Sequence, residues 1–157
     1  MLIGSGDRNH TGGGHMRISE ILRRKATGVI TIAPDATVRE LLRVLATHNV
    51  GAVVVSPDGV EMSGIVSERD IVRNLHSDGA ALLDVPVSEI MTATLHTCSP
   101  EDRVETLNHT MTRHRIRHLP VMEDGRMVGI VSIGDVVKSQ ISELETDREH
   151  LVRYLQG

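Results

Sequence analysis

The sequence predicts an α+β domain built from two copies of one β-α-β-β-α unit, and three observations predict it. The segment Gly64-Ile65-Val66-Ser67-Glu68-Arg69-Asp70 returns sixty-five positions on as Gly129-Ile130-Val131-Ser132-Ile133-Gly134-Asp135. Its flanks return with it: Pro34, Val38, Leu41 and Leu45 are answered by Pro100, Val104, Leu107 and Met111, and Asp58-Gly59 by Asp124-Gly125. Within each copy, short β-branched runs alternate with apolar residues at helical spacing. Two copies are too few for a solenoid, which needs at least three, so two modules packed face to face are expected. A lone unit of this size buries only roughly 60% of its unfolded surface. The copies are therefore expected to share one core.

Residues 1–17 are read as a disordered leader or an expression remnant. They are Gly-rich without periodicity as far as His15, and Met16 offers an alternative start. The first repeat is assigned to 18–78. Val29 to Ile32 is a short apolar strand that stops at Pro34. Thr37-x-x-Glu40 then offers a capping box, in which hydroxyl and carboxylate each take a backbone N–H left free at a helix start. Val38, Leu41, Leu42 and Leu45 follow on one helical face. Ala52 to Val55 is a buried strand, Ser56-Pro57-Asp58-Gly59 a turn, and Gly64 to Ser67 the returning strand of a hairpin. A helix runs from about Glu68 to Leu75. Residues 79–86 are assigned as a linker and 87–139 as the second repeat in the same order. There Asp102-x-x-Glu105 is expected to cap the helix bearing Val104, Leu107 and Met111, with a hairpin around Glu123-Asp124-Gly125. The last helix continues beyond the repeat, giving a C-terminal extension over 140–157.

Composition excludes several classes of function. A net charge of -4 and a pI near 6.1 lack the basic excess of a nucleic-acid binder. Trp and Phe are absent, so bases have no large ring to stack on. No run of eighteen apolar residues exists, which argues against a membrane span, and Met1-Leu2-Ile3-Gly4 is too short for a signal peptide. Cys98 is the sole cysteine. With no intrachain disulfide to form, a cytoplasmic location is the expectation.

The two in-register Gly-apolar-apolar-Ser-x-x-Asp segments, each ending a strand and opening a helix, resemble paired cystathionine β-synthase (CBS) domains. Gly64–Arg73 and Gly129–Lys138 are similar to the form seen in stand-alone bacterial CBS pairs, and Arg115-Ile116-Arg117-His118-Leu119-Pro120-Val121 resembles that family's strand before the hairpin turn. The resemblance implies a pseudo-two-fold pair of modules, sheet to sheet, with two clefts that take an adenosine-containing ligand: AMP, ADP, ATP, NAD or S-adenosylmethionine. By that resemblance Asp70 and Asp135 hold ribose, and Ser67 and Ser132 hold ribose or phosphate. Thr31 and Thr97 line the adenine end, and Val50, Ile65, Ile116 and Ile130 form apolar walls. Arg117 and His118 reach phosphate.

The chemistry agrees. A carboxylate can accept both hydroxyls of a ribose diol, helix N-terminal amides suit phosphate, and a guanidinium binds phosphate in a bidentate, charge-assisted fashion. The same Ser-x-x-Asp pairs are also complete capping boxes, which need no ligand. The copies differ in charge. Arg113, His114, Arg115, Arg117 and His118 crowd one short window, matched in the first copy by Thr47, His48, Asn49, Gly51 and Ala52. The two clefts should therefore bind unequally, and His118 is expected to titrate near neutrality.

No metal or catalytic reading competes. His114 and His118 fall across a helix-to-strand corner, and there is no His-Glu-x-x-His pattern, phosphate loop or nucleophile elbow. His10 and His15 could take metal adventitiously, and Cys98 reads as a small core residue. The terminal helix carries Val137, Ile141, Leu144, Leu151 and Leu155 in a seam interrupted by Asp147 and Arg148. That seam packs on its own module or on a second chain, favouring a homodimer. The expected function is a non-enzymatic sensor with no required cofactor, which passes an adenine-nucleotide signal to a separate effector protein. The alternatives are a structural dimerisation module without ligand, or the regulatory fragment of an enzyme such as inosine monophosphate dehydrogenase.

Overall fold

A computed structural model describes residues 15–25, 28–93 and 96–157. It contains α1 (Ile18–Lys25), β1 (Thr31–Ile32), α2 (Val38–His48), β2 (Ala52–Val55), β3 (Gly64–Ser67), α3 (Glu68–Asp78), α4 (Val104–His114), β4 (His118–Glu123), β5 (Arg126–Ser132) and α5 (Ile133–Gln156). Two 3₁₀ turns, Gly79–Asp84 and Val87–Glu89, lie between α3 and α4. The leader expected over 1–17 falls mostly outside the described residues, but Met16 is buried and Arg17 bridges to Arg103.

The first sheet runs β1-β2-β3, with β1 parallel and β3 antiparallel to β2; the second pairs β4 and β5 antiparallel. The first strand is shorter than the expected Val29 to Ile32. Among the described residues of the second copy its counterpart shrinks to one parallel bridge, Cys98 to Val121. The Cys98 N–H donates to the Pro120 carbonyl at 3.0 Å, and the Met122 N–H returns to the Cys98 carbonyl at 2.8 Å.

Three capping boxes form as their spacing predicts, at Thr37/Glu40, Ser67/Asp70 and Ser132/Asp135. The fourth does not. The helix expected to be capped by Asp102 starts one residue later, from Arg103, with no side-chain cap. Asp102 instead accepts the Ser99 N–H at 2.8 Å. Its carboxylate closes the preceding turn and is thereby withdrawn from the helix, a local competition to which Asp is prone.

The shared core expected from the repeat is three clusters. One holds Val38, Leu41, Leu45, Val53, Val55 and Val66, sealed by Leu82 from the segment read as a linker and by Val87 and Ile90 from the start of the segment assigned to the second repeat. The second holds Val104, Leu107, Met111, Leu119, Val121, Val131 and Val136, together with Met16, Ile18 and Ile21 from the N-terminal end. The third lies between the sheets, where Ala52, Val54 and Ile65 meet Met127 and Ile130. In β2, Val53 and Val55 face the first core while Ala52 and Val54 face the seam. An unbroken apolar strand is what burial on both faces requires.

Cys98 sits in the second core as a free thiol. Burial, reinforced by the nearby Asp102 carboxylate, pushes its pKa up to about 12. Since the thiolate is the nucleophile, Cys98 is expected to resist alkylation by iodoacetamide at neutral pH and to react only once the chain is unfolded. Mass spectrometry of native and denatured samples checks this; rapid labelling of folded protein would refute it.

Candidate functional site

Both Ser-x-x-Asp segments stand at the junction of a strand and a helix. Ser67 ends β3 and caps α3; Ser132 ends β5 and caps α5. In the first copy the Asp70 Oδ2 accepts the Ser67 N–H at 2.8 Å and its hydroxyl at 3.0 Å. The carboxylate is half-buried, and its other oxygen makes no bond to any described side chain.

Asp70 opens onto the larger cleft, of about 740 Å³, lined from the first copy by Gly51, Ile65, Ser67 and Asp70 and from the second by Ile116, Arg117 and His118. Six of the sequence-selected residues thus meet in one place, across the two modules. Sequence reasoning left Arg73 out of its charge. Arg69 and Arg73, on successive turns of α3, join Arg115 and Arg117 around it. It also missed His96, which lines the cleft and stacks on His114 with ring centroids 3.9 Å apart. The spacing of Arg69 and Arg73 was a readable signal, since residues four apart share a helical face; the meeting of His96 and His114 was not.

The second cleft is smaller, about 330 Å³, and lined by Ile21, Arg24, Lys25, Asp135, Lys138 and Ser139. Its Asp135 is differently placed. The Ser132 N–H donates to Asp135 Oδ2 at 2.9 Å, and so does the Lys25 ammonium, at 2.8 Å. Burial disfavours the charged carboxylate, yet the Lys25 ammonium and the Ser132 amide outweigh it and hold Asp135 below the ordinary carboxylate value.

Thr31, Val50 and Thr97 do not line either cleft. Thr31 pairs with Val54 in the sheet, Val50 packs against the first core, and Thr97 is exposed beside Cys98. Ile130 contributes to the seam between the sheets, and its carbonyl accepts from Lys25 at 2.9 Å.

His118 lines the larger cleft and lies within the field of Lys25 and Asp135. Its burial, followed by the positive charge of Lys25, holds its pKa below the ordinary 6.5, against the opposing pull of Asp135 and Glu68. The titration expected near neutrality is displaced toward acid. Because the unfolded chain takes up this proton more readily, the stability His118 confers is fully present above about pH 6.5 and lost as pH falls through the lowered folded value. Urea midpoints at about pH 7.5 and 5.5 should therefore fall further for wild type than for His118→Gln. Equal drops would show that His118 is not the group responsible.

The architecture is that of a tandem regulatory module, and the comparisons agree. The CBS domain family model matches residues 18–77 and 87–142, and the chain belongs to the CBS domain family. It is 36% identical over 148 residues to the mitochondrial CBS domain-containing protein CBSX3 of Arabidopsis thaliana, covering 89% of this chain and 72% of that one. Among solved structures, a CBS-domain-containing protein from Agrobacterium tumefaciens is 40% identical with a TM-score of 0.77, covering 80% of this chain and 99% of that one. A CBS domain protein from Pyrobaculum aerophilum, complexed with AMP, is 33% identical with a TM-score of 0.66, covering 76% and 89%. No described helix is long and apolar enough to cross a membrane.

Proposed function

We propose that this CBS pair is a non-enzymatic sensor that binds an adenine nucleotide in the cleft where Asp70 of the first copy faces Arg117 and His118 of the second. The observation that carries it is that juxtaposition: a half-buried carboxylate suited to a ribose diol and a cluster of arginines suited to phosphate line one cleft. The AMP complex of the Pyrobaculum relative supports the ligand class. Arg69, Arg73, Arg115 and Arg117 favour ligands with one or more phosphates, including AMP, ADP, ATP and NAD. They disfavour S-adenosylmethionine, whose sulfonium is itself positive.

A ligand touching both modules shifts their relative packing only as far as it binds one arrangement better than the other. A separate effector protein reads that shift. The module acts as a homodimer through α5, on which Ile141, Leu144, Leu151 and Leu155 are exposed at coiled-coil spacing. A reducing cytoplasm suits its single unpaired thiol.

Calorimetric titration of folded, nucleotide-free protein with AMP, ADP, ATP, NAD and S-adenosylmethionine tests the reading. Saturable heat with the phosphorylated ligands is expected. Silence with all five would leave a structural dimerisation module.

A further inference from the structure

We infer that Lys25 is an internal occupant of the second cleft, a tethered cation that takes the ribose position on Asp135 and confines nucleotide to the Asp70 cleft. This rests on the nucleotide-binding reading above and specifies its stoichiometry.

The two capping boxes are alike in backbone and unlike in what reaches them. The Asp70 carboxylate bonds only to its own Ser67 among the described residues, whereas Asp135 receives the Lys25 Nζ at 2.8 Å. The same Nζ donates to the Ile130 carbonyl at 2.9 Å, at the end of the strand that feeds the cap. One ammonium therefore satisfies two acceptors, of which Asp135 lines the second cleft. The pair is largely withdrawn from water, with side chains 29% exposed for Lys25 and 19% for Asp135. It is better shielded from water than a fully exposed surface pair.

The helix that delivers Lys25 is itself pinned to the second module. The Ile18 N–H donates to the Asp102 carbonyl at 3.0 Å, the Ser19 N–H to the Pro100 carbonyl at 2.9 Å, and the Met16 N–H to the Glu143 carboxylate at 3.0 Å. Ile18 and Ile21 are buried in the second core. A cation at the last turn of α1 also complements that helix's own dipole. A neutral ribose diol entering here must displace a charge-assisted contact held by an anchored element, and would strand an ammonium in doing so. At Asp70 no described cation has to be displaced.

The chain contains only two lysines, Lys25 and Lys138, and Lys138 is exposed, so one labelling reaction carries its own reference. Brief acetylation with an N-hydroxysuccinimide ester, read by mass spectrometry, should modify Lys25 severalfold more slowly than Lys138. Asp135→Asn should bring the two rates together. Equal rates in wild type would overturn the proposal. Titration with ATP should give one nucleotide per chain for wild type, two for Lys25→Met and one again for Lys25→Met/Asp135→Ala. Two sites in wild type reduced to one by Lys25→Met would also overturn it, by making Lys25 a phosphate ligand. If no variant binds nucleotide, the sensor reading fails, and the labelling ratio by itself decides whether Lys25 occupies Asp135.

Discussion

Asp70→Ala is expected to weaken nucleotide binding by at least two orders of magnitude, while Asp135→Ala leaves it nearly unchanged. The Asp70 side chain is proposed to accept two ribose hydroxyls, and hydrogen bonds to a charged group contribute about 1.5–3 kcal/mol each. Losing both removes about 3–6 kcal/mol, more than a hundredfold in affinity. The same substitution costs stability, because Asp70 also closes the capping box with Ser67; a lost cap is worth about 1 kcal/mol. Asp70→Asn separates the two roles. Its amide oxygen still accepts the Ser67 N–H, so the fold should keep most of its stability, while the charged acceptor for the diol is gone. Calorimetric affinity set against urea midpoints for both variants decides the matter. If Asp70→Asn binds like wild type, Asp70 is a cap and nothing more.

Gly64→Ala is expected to destabilise the fold by about 2–4 kcal/mol. A methyl group at Gly64 would lie 2.7 Å from the Thr92 carbonyl oxygen and 2.9 Å from the Met91 sulfur. The thioether can swing aside, but the carbonyl cannot, because Thr92 is tied to Ile65 in both directions: Ile65 N–H to Thr92 carbonyl at 3.0 Å, and Thr92 N–H to Ile65 carbonyl at 2.8 Å. Making room means breaking that bridge. For a chain of this size the loss corresponds to a fall of roughly 5–15 °C in Tm. Gly129 occupies the same place in the second motif, yet its added methyl would meet only the end of the Leu22 side chain on α1. A leucine tip can turn away, so Gly129→Ala should cost clearly less. Calorimetric melting of the two variants side by side checks the contrast, and equal Tm values would contradict it.

The duplicated motif made much of this molecule readable. Each Gly-apolar-apolar-Ser-x-x-Asp segment carries a strand, a cap and a helix start within seven residues, so local chemistry alone specifies the element and its end. The hairpins were equally legible from Asp58-Gly59 and Asp124-Gly125, where Gly59 and Gly125 adopt positive φ of 80° and 75°. What escaped was decided by distant partners. Ile18, Ile21 and Leu22 do show helical spacing, but nothing local says that α1 packs on the second copy. Leu82 and Val87 sit in a segment rich in turn residues and are nevertheless fully buried. Asp102 matches the capping pattern letter for letter and was lost to a turn. At the site, the first-copy and second-copy walls of the cleft could be paired through the repeat. The contact of Lys25 with Asp135 could not, since Ile18-Ser19-Glu20-Ile21-Leu22 recurs as Val87-Ser88-Glu89-Ile90-Met91 but Lys25 lies beyond that match.

The placement of α1 also bears on how the chain is made. Lys25 and its acceptor Ile130 are 105 residues apart, so during synthesis α1 emerges long before the strand it covers. Its apolar face must wait unpartnered while the first module, whose core lies wholly between Ile32 and Ile90, completes itself. The second module can close only when the final strand arrives to meet the chain's early helix. Its assembly is thus the last and most non-local event of folding, and the slow one. A fragment beginning at the second repeat would expose a core short of Ile18 and Ile21, whereas a permuted chain with α1 moved to follow α5 would present every partner in order.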